Sequence, residues 1–236
     1  IFGSRFNKIE QNIFDEANRN RCKIIYYAGD VSFYNLFMYD IEAKINVIRE
    51  DSGFLQLCCL FHKKIETDKN KTLGFYGDNY QRTNIMLNLL DSLKGTSLKL
   101  NLVGKNWSIE HSNLINHGLL SFSNFVDVVS SFKYMPIFGE EEKVMKGWVV
   151  DRPYTYLIYD AIPLVMPLYD LEEKQVSANS ILRVCNFNEL VEKTTEDESN
   201  RLKLLKSLKR KYLKKKYYDL KYWKKFIISS FGVDDL

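Results

Sequence analysis

The sequence lacks several features that would assign it quickly to a class of protein. No run of about 18 apolar residues occurs, so a membrane-spanning helix is not expected. Neither the Walker loop GxxxxGK[ST] nor the dinucleotide fingerprint GxGxxG is present, which removes two common signatures of nucleotide binding. The chain shows no signal peptide and starts at Ile1 rather than at methionine, so we expect further chain to precede it.

Cysteine and histidine are also scarce. The four cysteines have neither zinc-site nor dithiol spacing, and we interpret them as buried, reduced thiols of a cytoplasmic protein: Cys22, Cys58, Cys59 and Cys185. The three histidines do not cluster along the chain: His62, His111 and His117. The sequence therefore predicts no histidine-based metal site.

Positive charge is concentrated near the end of the chain. The formal net charge is +4, yet the segment from Arg201 to Lys225 carries twelve lysines and arginines and one acidic residue. Aromatic residues interleave with the basic ones, which favours a polyanionic partner such as nucleic acid. The alternative is a solvated helix face, and the sequence leaves both open. The candidate contacts to DNA are Lys209, Arg210, Lys214 and Lys215.

Predicted strands and helices alternate along the chain. Short apolar runs predict strands over 22–28, 45–48, 54–61, 72–76, 98–103, 133–138 and 163–168. Helical spacing predicts helices over 5–20, 83–93, 123–132, 153–159 and 188–193, and one long basic helix over 198–229. This alternation indicates an α/β fold with a parallel sheet covered on both faces.

Residues with ligand-binding chemistry follow these strands, at the edge where parallel sheets bind ligands. Glycines there let the backbone approach a ligand closely, and Arg82 and Arg152 lie near helix starts. Two guanidinium groups suit a diphosphate. Asp30 follows the first predicted strand, where its carboxylate can act as a general base. The residues alone leave open an ordinary α/β domain with surface arginines, and an Asp30 that only opens a turn.

One stretch carries a resemblance to a known family. Residues 152–165, RPYTYLIYDAIPLV, resemble the helix start and following strand of the phage DNA glucosyltransferases, which are glycosyltransferases of the GT-B class. The glycine turn at Gly77 with Arg82, the strand end at Val103 to Lys105, and the segment ending at Asp30 extend the resemblance. It spans roughly residues 22–193.

The resemblance implies a GT-B architecture of two Rossmann-like lobes with parallel sheets and a long C-terminal helix. Residues 1–70 would be the remainder of an N-terminal, acceptor-side lobe that is incomplete in this sequence. Residues 71–195 would form the nucleotide-sugar-binding lobe. Residues 196–236 would be a basic helix that packs back on the N-terminal lobe.

Site roles carry over residue by residue from the same resemblance. Asp30 would be the catalytic base. The residues that would contact a UDP-sugar, with UDP-glucose as the expected donor, are Gly77, Asp78, Arg82, Val103, Gly104, Lys105, Gly139, Arg152 and Thr155. Thr155 departs from the family, because the β-glucosyltransferase type within it has there the glutamate that binds the ribose hydroxyls. An alternative register gives the acidic role to Asp160. The resemblance also allows Mg²⁺ or Mn²⁺ on the diphosphate.

The acceptor implied is a hydroxymethylated pyrimidine in double-stranded phage DNA, within the host cytoplasm. The protein would act as a monomer without a membrane. Two alternatives remain: a GT-B glycosyltransferase acting on polysaccharide or protein, and a non-catalytic α/β protein that binds nucleic acid. In the GT-B architecture the terminal helix braces the first lobe, which gives Tyr222, Trp223 and Phe226 an alternative, structural role.

Overall fold

The structure of the protein is a computed structural model. It describes residues 69–138, 152–166 and 180–213, together with residues 16, 19–20, 24–25, 47–48, 221–222, 224–225 and 228. Two short parallel strands come first, β1 (Ile24–Ile25) and β2 (Val47–Ile48), which pair with each other. They fall inside two of the predicted strands.

A five-stranded parallel sheet forms the centre of the described region. Its strands are β3 (Lys71–Tyr76), β4 (Leu100–Val103), β5 (Leu114–Gly118), β6 (Phe132–Ile137) and β7 (Ile162–Val165). They are ordered β5-β4-β3-β6-β7. The described helices are α1 (Thr83–Ser92), α2 (Phe122–Ser130), α3 (Arg152–Ile158), α4 (Phe187–Thr194) and α5 (Glu198–Tyr212). The predicted α/β class is confirmed, and the arrangement is Rossmann-like.

The strand order reverses at β3. From β3 the chain moves outward to β4 and β5, then returns to β6 on the other side and continues to β7. Right-handed crossovers in both directions place α1 on one face of the sheet and α2 and α3 on the other. The carboxyl ends of β3 and β6 therefore border the crevice where open α/β sheets bind ligands.

The core follows from the apolar runs in the sequence. β4 and β7 are buried along their whole length, and α1 buries Met86, Leu89 and Leu90. Gly74 in β3 lets the ring of Phe132 approach the backbone closely, because a Cβ atom there would lie 2.1 Å from Cδ2 of Phe132. The ring of Phe132 occupies the space that a side chain on Gly74 would need.

Three expectations from the sequence are corrected. Cys185, which was expected to be a buried thiol, is exposed. The predicted long helix over 198–229 is interrupted, because α5 ends at Tyr212 and Leu213 takes an extended conformation (φ −89°, ψ 101°). The residues described beyond this break are again helical: Lys221, Tyr222, Lys224, Lys225 and Ile228. Tyr212 and Leu213 both pack against the hydrophobic core, and this packing favours a chain that leaves the straight helical path. The third correction is β5, which was not predicted. Its side chains are partly or largely exposed, so it lacks the continuous apolar run of its neighbours.

Candidate functional site

The turn after β3 is held from two sides by the chain after β4. Gly77 donates its N–H to the carbonyl oxygen of Val103 at 2.9 Å, and its own carbonyl oxygen accepts from the indole Nε1 of Trp107 at 2.7 Å. A Cβ atom on Gly104 would lie 2.1 Å from that same carbonyl oxygen. Two glycines are thus needed for the two strand ends to approach so closely.

The next residues, Asp78 and Asn79, tie this turn to the loop after β4. Oδ1 of Asp78 accepts from the backbone N–H of Lys105 at 3.1 Å, and Oδ2 lies 3.6 Å from Nζ of the same lysine. Nδ2 of Asn79 donates to the carbonyl oxygen of Asn106 at 3.0 Å. Oδ1 of Asn79 accepts from the backbone N–H of Arg82, the residue that precedes α1. These bonds set the direction in which the Arg82 side chain leaves the backbone.

Two arginines from different helices converge on Gly77. A Cβ atom placed on Gly77 would lie 2.9 Å from Nη2 of Arg152 and 3.5 Å from Nη1 of Arg82. Arg82 is only 6% exposed, and its Nη1 donates to the carbonyl oxygen of Asp78 at 2.9 Å. The structure therefore concentrates two positive charges at one point on the carboxyl edge of β3. We call Arg82 and Arg152 the arginine pair.

Two aromatic rings pack against the guanidinium group of Arg152. Its guanidinium carbon lies 5.3 Å from the ring centroid of Phe75 and 5.7 Å from that of Tyr76, distances typical of cation–π contacts. Phe75 in turn stacks on Phe138, beyond the end of β6, with centroids 4.5 Å apart. The aromatic layer spans the ends of β3 and β6, which border the crevice, and it fixes where the Arg152 side chain can lie.

The predicted site residues are distributed as follows. The structure brings together Gly77, Asp78, Arg82, Val103, Gly104, Lys105 and Arg152. Thr155 lies in the first turn of α3 and is fully buried, so its hydroxyl does not reach solvent in this structure. Asp30, Gly139, Lys214 and Lys215 lie outside the described residues.

The alternative acidic residue, Asp160, is placed at the other end of the sheet. It follows α3 and precedes β7, so it lies near the amino end of that strand, whereas Gly77 lies at a carboxyl end. Its carboxylate forms an ion pair with Nζ of Lys209, and its carbonyl oxygen accepts from Nη1 of Arg201 at 3.4 Å. Lys209, predicted to contact DNA, is therefore engaged with α3, whereas Arg210 beside it is exposed.

Sequence reasoning missed several residues that shape this site. Trp107 and Asn79 hold the two loops together, and Phe138 extends the aromatic layer. Tyr80 lies between Asp78 and Arg82 with its ring largely exposed. The available signal was position, because Asn79 and Tyr80 directly follow the β3 turn and Trp107 follows Gly104-Lys105-Asn106.

His117 lies on β5 beside the site's supporting loop. Its Nε2 is 3.1 Å from Oδ1 of the buried Asn101 on β4, and partial burial, together with the positive charge of Lys71, lowers the pKa of the imidazole. The neutral ring can donate to Asn101. The next residue, Gly118, accepts the backbone hydrogen bond of Gly104 at 2.9 Å. His117 therefore belongs to the support of the site rather than to its surface.

The described part of the chain contains neither a candidate metal site nor a candidate membrane-spanning helix. No group of three or more histidine, cysteine, aspartate or glutamate side chains is arranged there to hold a metal ion. Within the same residues, no helix has the length and apolar character needed to cross a membrane. Compared with models of known protein families and with curated proteins, the chain matches none of them.

Proposed function

We propose that the arginine pair binds the diphosphate of a nucleotide sugar, and that the protein is a glycosyltransferase that uses a UDP-sugar. The observation that carries the proposal is the convergence of Arg82 and Arg152 on Gly77, at the point where the strand order reverses. Guanidinium groups bind phosphate oxygens in pairs of parallel hydrogen bonds. The turn at Gly77 has no side chain that would block such an approach.

The same arrangement suits the chemistry of glycosyl transfer. An acceptor hydroxyl attacks the anomeric carbon, the bond from that carbon to the diphosphate oxygen breaks, and UDP leaves with additional negative charge. Two fixed guanidinium groups stabilise that charge as it grows, which lowers the barrier. The proton of the acceptor passes to a base. The resemblance assigns this role to Asp30, and the two-lobed GT-B architecture with glucose as the sugar rests on the same resemblance.

The acceptor proposed is a hydroxymethylated base in double-stranded DNA. Such a base must leave the duplex to react, at a cost of a few kcal/mol. On α5 four basic side chains are exposed. Three of them, Lys203, Lys206 and Arg210, follow helical spacing and can contact phosphates. A polysaccharide or protein acceptor would leave this basic stripe without a role. A nucleic-acid-binding protein without transferase activity would leave the arginine pair without one.

Calorimetric titration of UDP and UDP-glucose into the protein tests the donor site. We expect binding that Arg152→Ala weakens by about 1.5–3 kcal/mol, or roughly 10- to 150-fold, because a hydrogen bond to a charged group is lost. Arg210→Ala is the matched control, since it removes an exposed arginine far along the chain on α5. The absence of heat with any uridine nucleotide, from folded protein, would refute the UDP-sugar proposal.

Transfer itself needs a second measurement. The protein is incubated with radiolabelled UDP-glucose and duplex DNA that contains hydroxymethylcytosine, and label in the DNA is counted. Unmodified duplex DNA is the control acceptor. Label in the modified DNA alone supports the acceptor proposal. Donor binding with no label in either DNA would direct attention to a polysaccharide or protein acceptor.

A further inference from the structure

The turn that precedes α1 carries Tyr80 in an unusual backbone conformation. Tyr80 and Gln81 both have positive φ angles, 34° and 64°, which residues other than glycine adopt only rarely. Their conformation is maintained by the residues on either side. The backbone N–H of Arg82 donates to the carbonyl oxygen of Asn79 at 2.7 Å, and Nδ2 of Asn79 donates to Oγ1 of Thr83 at 2.9 Å. Strained backbone of this kind concentrates at ligand sites.

This conformation leaves a large aromatic ring in solvent. Tyr80 is 58% exposed, and it is the aromatic member of the set of large apolar side chains that are exposed in the described region. The neighbouring aromatic residues Phe75, Phe138 and Trp107 are buried, so Tyr80 differs from them in its exposure. The ring of Tyr80 is instead exposed to solvent, where a bound ligand can cover it.

The ring is joined directly to the arginine pair. The guanidinium carbon of Arg82 lies 5.7 Å from the ring centroid of Tyr80, and Nη1 of the same side chain lies 3.5 Å from the position of a Cβ atom on Gly77. A phosphate group held by the arginine pair is therefore one guanidinium away from the ring. A group joined to such a phosphate is therefore within reach of Tyr80.

We propose that Tyr80 is a stacking residue, which covers one face of the ring that the ligand carries beside its phosphate groups. The inference rests on the proposed function, in which that ring is either the uracil base or the transferred sugar. Uracil has a flat face and a pyranose sugar has a face of C–H groups, and an aromatic ring can cover either. Tyrosine loses little conformational freedom when it is covered. Arg82 then serves two groups of the ligand, because it contacts the phosphate and supports the ring that stacks on the adjoining group.

The wild-type protein, two variants and three probes together separate stacking from other roles of Tyr80. The probes are inorganic pyrophosphate, UDP and UDP-glucose, titrated into the wild-type protein, Tyr80→Phe and Tyr80→Ala. We expect Tyr80→Phe to bind all three within about twofold of wild type, because the ring is kept. Tyr80→Ala should weaken UDP binding about 5- to 150-fold if the base stacks, the range measured for base–aromatic stacking. If the sugar stacks, only UDP-glucose binding should weaken.

Pyrophosphate shows whether Tyr80 acts on the ligand or on Arg82. It carries no ring, so stacking predicts that Tyr80→Ala binds it as the wild type does. Equal losses for pyrophosphate and UDP would show that Tyr80 only positions Arg82, and would overturn the inference. Unchanged binding of all three probes would overturn it as well, while leaving the donor site intact. Wild-type protein that binds none of the probes would refute both the proposed function and the stacking role.

Discussion

Gly77 has a backbone conformation and surroundings that together exclude other residue types. Its φ angle is 144°, and its carbonyl oxygen lies 2.1 Å from the position that a Cβ atom on Gly104 would take. The two guanidinium groups of the arginine pair approach it from the side on which a Cβ atom would stand. The residue therefore serves the strand turn and the phosphate site at once, and a substitution should affect both.

Substitution of Gly77 by alanine tests this double role. We expect Gly77→Ala to destabilise the fold by about 1–3 kcal/mol through backbone strain, and to weaken UDP binding because the new methyl group displaces Nη2 of Arg152. The control is Gly95→Ala in the turn after α1, where φ is also positive (78°) and no atom lies within 4 Å of the new Cβ. It should lower the melting temperature without changing UDP affinity. Equal UDP affinity in both variants would contradict the assignment.

The two arginines of the pair differ in how they are held. Arg82 is nearly buried and is bonded to the carbonyl oxygen of Asp78, so its direction is set before a ligand arrives. Arg152 is held instead by the rings of Phe75 and Tyr76, because a planar guanidinium stacks on aromatic faces. Lysine has neither the fork nor the planar face. Arginine, with its fork of donors and its planar face, therefore suits both positions better than lysine does.

Among the elements, α5 is fastened to the sheet by charged groups. Arg201 is 2% exposed and donates from Nη2 to Oε1 of Glu198 at 2.6 Å, while Nζ of Lys133 on β6 lies 2.9 Å from Oε2 of the same glutamate. The Asp160–Lys209 ion pair joins the later part of α5 to the end of α3. The hydrogen bonds from Arg201 and Lys133 lower the pKa of the Glu198 carboxyl from near 4.5 to about 2.

This pKa shift predicts how the stability provided by Glu198 varies with pH. A carboxyl whose pKa is lowered in the folded state stabilises the fold above its unfolded pKa, and loses that effect as the pH falls toward the folded value. We expect Glu198→Gln to cost about 1–3 kcal/mol at pH 7, because a buried guanidinium loses its charged partner. Solvent screening of the half-exposed Glu198 favours the lower figure.

Thermal unfolding of wild type and Glu198→Gln between pH 7 and pH 3 measures this effect. The difference in melting temperature should be constant down to about pH 5 and should narrow below pH 4.5, toward the folded pKa of about 2. Glu192→Gln, which changes an exposed carboxylate on α4, is the control and should show little difference at any pH. A gap between Glu198→Gln and wild type that is independent of pH would contradict the ion-pair account.

The elements that the sequence predicted well are those with strong apolar periodicity. β3, α1 and β6 lie within one or two residues of their predicted bounds, because each has a buried face that fixes the pattern. β5 was missed because its side chains are partly or largely exposed, so its sequence has no continuous apolar run. The end of α5 was also missed, since neither glycine nor proline marks it and the core contact of Leu213 is a tertiary effect.

The candidate site was predicted in part, for a reason that also lies in the fold. The rule that ligands bind beyond strand ends identified Gly77, Arg82, Gly104 and Arg152 from their positions alone. Trp107 and Tyr80 were not identified, because their roles depend on which loops meet in space. A position after a strand end can be read from sequence, whereas a contact between two such loops cannot.

At the scale of the whole molecule, positive charge is found both in the crevice of the sheet and on the helix α5. The arginine pair is set in the crevice of the sheet, partly buried and supported by aromatic rings. The basic residues of α5 divide further. Arg201 and Lys209 are engaged with Glu198 and Asp160, whereas Lys203, Lys206 and Arg210 are exposed. Net charge alone would not separate these groups, and only the exposed set is available to a polyanion.

Salt dependence of DNA binding distinguishes the exposed set from the engaged one. Each phosphate contact adds about −0.9 to the slope of the logarithm of affinity against the logarithm of salt concentration. We therefore expect Lys206→Ala and Arg210→Ala each to reduce the size of the slope by about 1 for duplex DNA. Lys209→Ala is the matched control, and the slope should not change because that charge is already paired with Asp160.

The measurement is fluorescence anisotropy of a labelled duplex between 50 and 200 mM salt, about the range over which phosphate contacts separate most clearly. Melting temperatures of the three variants should be compared first, since Lys209→Ala also removes a contact between α5 and α3. A Lys209→Ala variant that lowers the slope as much as Arg210→Ala would mean that the Asp160 pair opens when DNA binds. No change of slope in any variant would place the DNA contact elsewhere in the chain, and α5 would then be a helix whose exposed charge serves only to keep it solvated.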